Sequence, residues 1–140
     1  MKLFLDANVV FSAAHLAEGR SQHLVALARA GHCLLVTSAH ALEEARRNLA
    51  LKSRGFEARL EAALGVVGIV AEAPAQTVAW AAREGLPAKD APLLAAAVHC
   101  GAQLFVTGDA RDFGRLYGRT LRGARVVTPA QALAAVLESA

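Results

Sequence analysis

At 140 residues, 55% of them hydrophobic and 19% charged, the chain has material for one buried core and not two, so a single domain over residues 1–140 is expected and a solvated tail is not. A net charge of +3 is compatible with a polyanionic partner, although each arginine by itself reads first as part of a solvated helix face. Cys33 and Cys100 lack CxxC spacing, and Asp6 with Asn8 interrupts the one leader-like apolar run; a disulfide framework and a secretory signal are therefore disfavoured, and a reduced cytoplasmic protein is expected.

In chain order, KLFLD at 2–6, continuing into NVV, reads as a buried parallel strand that presents Asp6 at its carboxyl end. Residues 21–31 read as a helix capped by Ser21, with Leu24, Leu27 and Ala28 on one face and Gly31 as its stop. CLLVTS at 33–38 is a second strand, and Ser38 can cap a helix running from 39 to Gly55. On that helix Leu42, Ala45 and Leu49 share a face, with Glu44 at its margin. Glu43 points the other way, towards Arg46 and Arg47, so Glu44 is expected at a pocket and Glu43 in a surface ion pair.

Residues 56–64 continue helical, VVGIV at 66–70 is a third strand, and a short helix follows Pro74. Residues 91–108 carry no charge, yet Pro92, His99, Gly101 and Gln103 divide them into helix, turn and strand, so no membrane span is expected. Asp90 opens that helix and the strand QLFVT ends before Asp109 and Asp112. RVVT at 125–128 is a fifth strand, and Thr128 with Gln131 has the spacing of a capping box. Strands alternating with helices predict an α/β fold with a largely parallel sheet.

Each of these acids has a plain reading. Asp90 can be a helix N-cap, and Asp109 and Asp112 a cap and a first-turn acid. Together they carry more. Asp6 and Asp109 follow apolar strands, and Glu44 and Asp90 lie in first turns of helices starting at the same sheet edge, where open parallel sheets bind ligands. Two carboxylates about 4 Å apart repel by about 4 kcal/mol at an effective dielectric near 20, so a positive charge is required to hold them together. Oxygen donors without paired histidines or cysteines suit Mg²⁺ or Mn²⁺ rather than zinc. His40, one turn before Glu44, reads first as a cap-region or surface histidine. No phosphate-binding loop, dinucleotide fingerprint or serine-hydrolase elbow is present in the sequence.

The stretches LDANVVFSA (5–13), TSAHALEEARRNL (37–49), KDAPLLAAAVHCGAQLFVTGDARDF (89–113) and VVTPAQAL (126–133) together resemble the PIN-domain ribonucleases, a family that includes VapC-type toxins of toxin–antitoxin pairs. The resemblance implies a three-layer α/β/α sandwich with a largely parallel sheet of about five strands. It implies hydrolysis of RNA phosphodiester bonds with Mg²⁺ or Mn²⁺ as cofactor. Asp6, Glu44, Asp90 and Asp109 then match the catalytic, metal-holding acidic quartet, with Asp112 as a fifth ligand at the edge of the site. Asn8 and Thr107 match polar neighbours that orient ligands or water. Arginines at the rim would contact backbone phosphates. For protein partners the resemblance allows an antitoxin over an apolar surface and a homodimer. The competing expectation is a module of the same fold that binds RNA or protein without cutting it. A phosphotransfer receiver ranks last, because RVVTPAQ offers no lysine near the last strand.

Overall fold

The apolar runs become strands because each is short and rich in residues that pack on a pleated sheet, and the central ones, β1 (Lys2–Leu5) and β4 (Leu104–Val106), are buried on both faces. In the computed structural model, which describes residues 1–16, 18–52 and 55–139, six strands make one sheet. They are β1 (Lys2–Leu5), β2 (Leu34–Ser38), β3 (Val67–Val70), β4 (Leu104–Val106), β5 (Thr120–Leu121) and β6 (Ala124–Val127). Their order is β3-β2-β1-β4-β6-β5, and every neighbouring pair is parallel except β5 with β6.

Alternation along the strands divides the interior in two. Leu3, Leu5, Leu35, Leu104, Val106 and Val127 face one core, under helices α1 (Ala7–His15), α2 (Arg20–Arg29), α4 (Glu57–Leu64) and α8 (Pro129–Ser139). Phe4, Val36, Phe105 and Val126 face the other, under α5 (Ala75–Arg83), α6 (Ala91–His99) and the short α7 (Ala110–Phe113). Phe4 stacks on Phe105 with ring centroids 5.7 Å apart, and Phe105 meets Phe113 at 5.0 Å. Each such fully buried aromatic contributes roughly 2–3 kcal/mol of apolar burial. Helix α3 (Ala39–Lys52) closes the sandwich at one end, giving Ala45 and Leu49 to the first core and Ala41 to the second. The result is the expected three-layer α/β/α architecture.

Two expectations about the strands change. The first strand stops at Leu5: Asp6 accepts the Ala7 N–H at 2.8 Å, and Ala7–His15 is helical, burying Val9, Val10, Ala13 and Ala14 at helical spacing. The β-branched pair Val9 and Val10 mimics a strand, but the carboxylate cap decides. The sheet has six strands rather than five because Thr120–Leu121 folds back on β6 through Arg122 and Gly123, whose φ angles are +47° and +92°. That is the pairing of positive φ values that a tight two-residue hairpin requires.

Local signals at the helix ends fare unevenly. Ser38 Oγ accepts the Ala41 N–H at 3.2 Å, as expected of a cap. Thr128 and Gln131 exchange bonds of 2.9 and 3.1 Å, a complete capping box. Ser21 instead lies buried in the first turn of α2, whose cap position is Gly19. Glu43 is exposed, as expected, but Arg46 pairs with Glu61 at 2.7 Å. The expected last turn of α3, with Ser53 and Arg54, lies outside the described residues. Among the described residues no helix is long and apolar enough to cross a membrane; residues 91–108 divide into α6, a turn and β4.

The topology fixes where a site can form. From β1 the chain moves to β2 and β3 on one side, while β4 lies on the other side of β1. The carboxyl ends of β1 and β4 therefore flank a switch point, where helices leave in opposite directions and a crevice opens.

Candidate active site

Asp6 stands at that switch point, 2% exposed. Its carboxylate accepts three hydrogen bonds: from the Ala7 N–H at 2.8 Å, from Asn8 Nδ2 at 2.8 Å and from the Thr107 hydroxyl at 2.7 Å. Asn8 also accepts the Gly108 N–H at 2.8 Å, so one amide side chain ties the end of β1 to the end of β4. A Cβ on Gly108 would lie 3.3 Å from Asn8 Oδ1, which is why glycine suits this close approach. The fully buried Thr107 hydroxyl accepts the Asp109 N–H at 3.1 Å while donating to Asp6, coupling the two strand-end aspartates.

Asp90 enters from the other side. The turn before α6, closed by the Asp90 N–H on the Pro87 carbonyl at 2.9 Å, sets it at the start of the helix. It occupies the cap position, yet its side chain caps nothing. Asp90 is 3% exposed, and its Oδ2 is buried without a hydrogen-bond partner among the described residues. Asp109 does cap, accepting the Asp112 N–H at 3.1 Å and starting α7. That turn carries Asp112 inward: one oxygen each from Asp90, Asp109 and Asp112 lies within 4.8 Å of the others. Asp112 thus shares a donor group with Asp90 and Asp109, while it lines the adjoining cavity with Pro87 and Arg111 and not the one that Asp6 and Glu44 line.

Asp6, Asn8, Glu44, Asp90 and Asp109 line one cavity of about 340 Å³. Glu44 reaches it from α3, half-buried, on the side of the helix predicted from its spacing. Thr107 lies beneath, holding Asp6. The remaining walls went unassigned in the sequence: Asn48 and Lys52 on α3, and Lys89. Their signal was present, since Asn48 and Lys52 follow Glu44 at successive i+4 positions on one helix face. The expected arginine rim is largely replaced by these lysines. His40 is absent from the cavity wall; its Nε2–H points to the Lys89 carbonyl at 3.2 Å.

Charge is crowded here. Burial, with the Glu44 charge adding to it, pushes the Asp6 carboxyl up to about 6 against the pull of its hydrogen-bond donors. Burial first, and then the charge of Asp6, push Asp90 up to about 7, with Lys89 opposing. Burial and the charges of Asp109 and Asp6 raise the Tyr117 phenol, whose hydroxyl donates to the Thr107 carbonyl at 2.8 Å.

At 4.8 Å and an effective dielectric near 20, each ionised pair repels by about 3 kcal/mol. Against this stands, among the described residues, one ion pair, Lys89 with Asp112 at 4.0 Å, whose lysine side chain is 62% exposed; such pairs contribute about 0–1 kcal/mol. The surplus is met either by protonation or by a cation. A partnerless buried oxygen, a tight oxygen-only donor group and a net negative cavity fit a hard divalent cation.

The family model described as PIN domain matches residues 2–111. Among solved structures, PAE2754 from Pyrobaculum aerophilum is similar with a TM-score of 0.67 and 18% identity, covering 99% of each chain. A chain of VapBC2 from Rickettsia felis, bound to a DNA fragment from their promoter, is similar at 0.63 and 14% identity, over 91% of this chain and 98% of that one. FitAcB from Neisseria gonorrhoeae is similar at 0.59 and 21% identity, over 91% and 97%. Among curated proteins none matches the sequence.

Proposed function

The chain belongs to the PIN-domain family, and on that premise we propose that it is a metal-dependent endoribonuclease that hydrolyses RNA phosphodiester bonds as the toxin of a toxin–antitoxin pair. The observation that carries this reading is the buried, partnerless Asp90 Oδ2 beside Asp109 and Asp112 at the mouth of the sheet's switch point. It is an arrangement that folding alone would not favour.

Asp90, Asp109 and Asp112 would hold Mg²⁺ or Mn²⁺, with Asp6 and Glu44 completing the acidic set. When bound, such an ion lowers the pKa of a water and stabilises charge on the phosphoryl oxygens. The chain's own residues supply position. Asn8 and Thr107 fix the Asp6 carboxylate, so that its charge meets the substrate without rearrangement. The half-buried Glu44 lines the same cavity from α3, and its charge acts on Asp6. An antitoxin is the protein partner that goes with this reading, through the VapBC2 and FitAcB similarities.

The test is cleavage of varied RNAs with and without Mn²⁺. Manganese-dependent cleavage by the unaltered chain that disappears in both Asp6→Asn and Asp90→Asn supports the reading. Metal-independent RNA binding with no cleavage would instead identify a non-cutting module of the same fold.

A further inference from the structure

Helix α2 begins without a side-chain cap. Gly19 occupies its cap position in extended backbone, no acid stands in its first turn, and the first amide to bond back is that of His23, on the Gly19 carbonyl at 3.1 Å. The N–H groups of Arg20, Ser21 and Gln22 therefore have no acceptor among the described residues. At this helix end Gly19, Arg20 and Ser21 line a cavity of about 450 Å³, walled on its other sides by Ser12 and Leu16 at α1 and by Pro129 at the start of α8. No residue lines both this cavity and the acidic one.

A free helix end alone would be met by water. Here a buried hydroxyl joins it: Ser21 is 5% exposed and lines the cavity, yet its Oγ has no hydrogen-bond partner among the described residues. Buried hydroxyls are otherwise hydrogen-bonded, so this one points to an occupant. The half-buried Ser12, on α1, lines the same cavity, and its hydroxyl is equally without a partner there. Arg20 is exposed and has no ion-pair partner among the described residues. Against these donors stands one carboxylate on the wall, that of the exposed Glu18. Helix amides, hydroxyls and a guanidinium together suit a compact oxyanion with several acceptor oxygens.

We propose that this cavity binds a single phosphate group, free or as the terminal phosphate of a monoester, through the first amides of α2 and the Ser12 and Ser21 hydroxyls, with Arg20 offsetting its charge. A phosphate dianion offers enough oxygens for all of these donors, whereas a diester in a nucleic-acid backbone carries one charge and two substituents. The site stands apart from the acidic cavity and does not rest on the ribonuclease reading. Glycine at the cap position leaves the amides open to a ligand. Its φ of −79° and ψ of 172° suit any residue, and a Cβ there would meet Leu16 Cβ at 3.4 Å, an ordinary contact. An aspartate at position 19 is therefore sterically allowed, and its carboxylate would take the amides that the phosphate needs.

The experiment follows backbone amide NMR shifts of the full chain, without divalent cations, as inorganic phosphate, adenosine 5′-monophosphate, adenosine or sodium chloride is added. Phosphate should move the Arg20, Ser21 and Gln22 amides saturably, with a Kd of about 1 mM or tighter, and adenosine should not. Ser21→Ala should weaken binding roughly tenfold, the loss of one hydrogen bond to a charged ligand, and Arg20→Ala roughly three- to fivefold. Gly19→Asp should abolish it without lowering the thermal midpoint, and Glu18→Gln should tighten it. Tighter binding of the mononucleotide than of phosphate assigns the site to a monoester; equal or weaker binding assigns it to free phosphate. Shifts confined to the acidic cavity overturn the site, as does equal affinity in Ser21→Ala and Gly19→Asp. So do equal shifts with chloride, or a short RNA with hydroxyl ends that moves these amides as strongly as phosphate does.

Discussion

The His40 Nε2–H points to the carbonyl oxygen of Lys89 at 3.2 Å, joining the first turn of α3 to the turn that delivers Asp90. One side chain thereby ties the helix bearing Glu44 to the segment bearing Lys89 and Asp90. Its role is positional, since it does not line the cavity. His40→Ala should lower RNA cleavage about three- to tenfold, because misplacement of a catalytic group by a fraction of an ångström is costly, while the thermal midpoint moves by less than about 3 °C. His40→Gln, which restores a donor, should recover part of the loss. An alanine variant as active as the unaltered chain would show that the tether is not needed.

Asp90 makes a sharper case. A buried carboxylate with an unpartnered oxygen beside two other acids costs stability when no cation is bound. Asp90→Asn should raise the midpoint of the metal-free chain by a few degrees while abolishing Mn²⁺ binding in calorimetry. Lower stability with intact Mn²⁺ binding would contradict the assignment.

Both arguments show what the sequence made legible. Apolar runs ending in Asp6 and before Asp109 placed two acids at strand ends, and helical spacing separated Glu44 from Glu43. These signals are local, so they survive folding. The helix at Ala7–His15 was hidden because Val9 and Val10 are β-branched and the Asp6 cap is visible only in three dimensions. The two-residue β5 was too short to leave a pattern, and its hairpin uses Arg122 where Asn or Asp would have marked the turn. The closeness of Asp112 to Asp90 and Asp109 was not legible, because it depends on the short α7 that Asp109 itself caps. Lys52 on α3 and Lys89 in the turn before α6 join one cavity although they are far apart in the chain, a relation no local spacing encodes.

The raised carboxyls predict a pH dependence. Asp6 goes from an ordinary value of 3.8 to about 6 in the folded chain, and Asp90 from 3.8 to about 7. A raised acid binds protons more tightly in the folded state, so its contribution is fully present below the unfolded value and lost as pH rises through the folded one. Without divalent cation, stability should therefore fall from about pH 4 to about pH 7. The buried Asp6 alone accounts for roughly 3 kcal/mol of this. Added Mn²⁺ should flatten the decline, because the cation takes the place of the protons. Midpoints measured across that range, with chelator and with Mn²⁺, test it; a metal-free midpoint that climbs with pH would refute it.

Thr107 provides the last test, because its hydroxyl serves both strand-end aspartates. It donates to Asp6 at 2.7 Å and accepts the Asp109 N–H at 3.1 Å, while the residue itself is fully buried. Thr107→Val keeps the shape and removes both bonds, together with the one its hydroxyl accepts from Asn8 Nδ2 at 3.3 Å. The Asp6 carboxylate then loses one of its three donors, and a half-buried N–H loses its acceptor, which together should cost about 1–3 kcal/mol. The midpoint should drop by several degrees, and the loss should be larger above the Asp6 value of about 6 than below it, because the ionised carboxylate is the form that needs the hydroxyl. Cleavage should fall further than stability explains, since the same hydroxyl aims Asp6 and Asp109 into the cavity. Thr107→Ser, which retains the hydroxyl, should restore most of the activity at a small cost in packing. A valine variant whose deficit is the same at low and high pH would mean that Thr107 acts through packing alone.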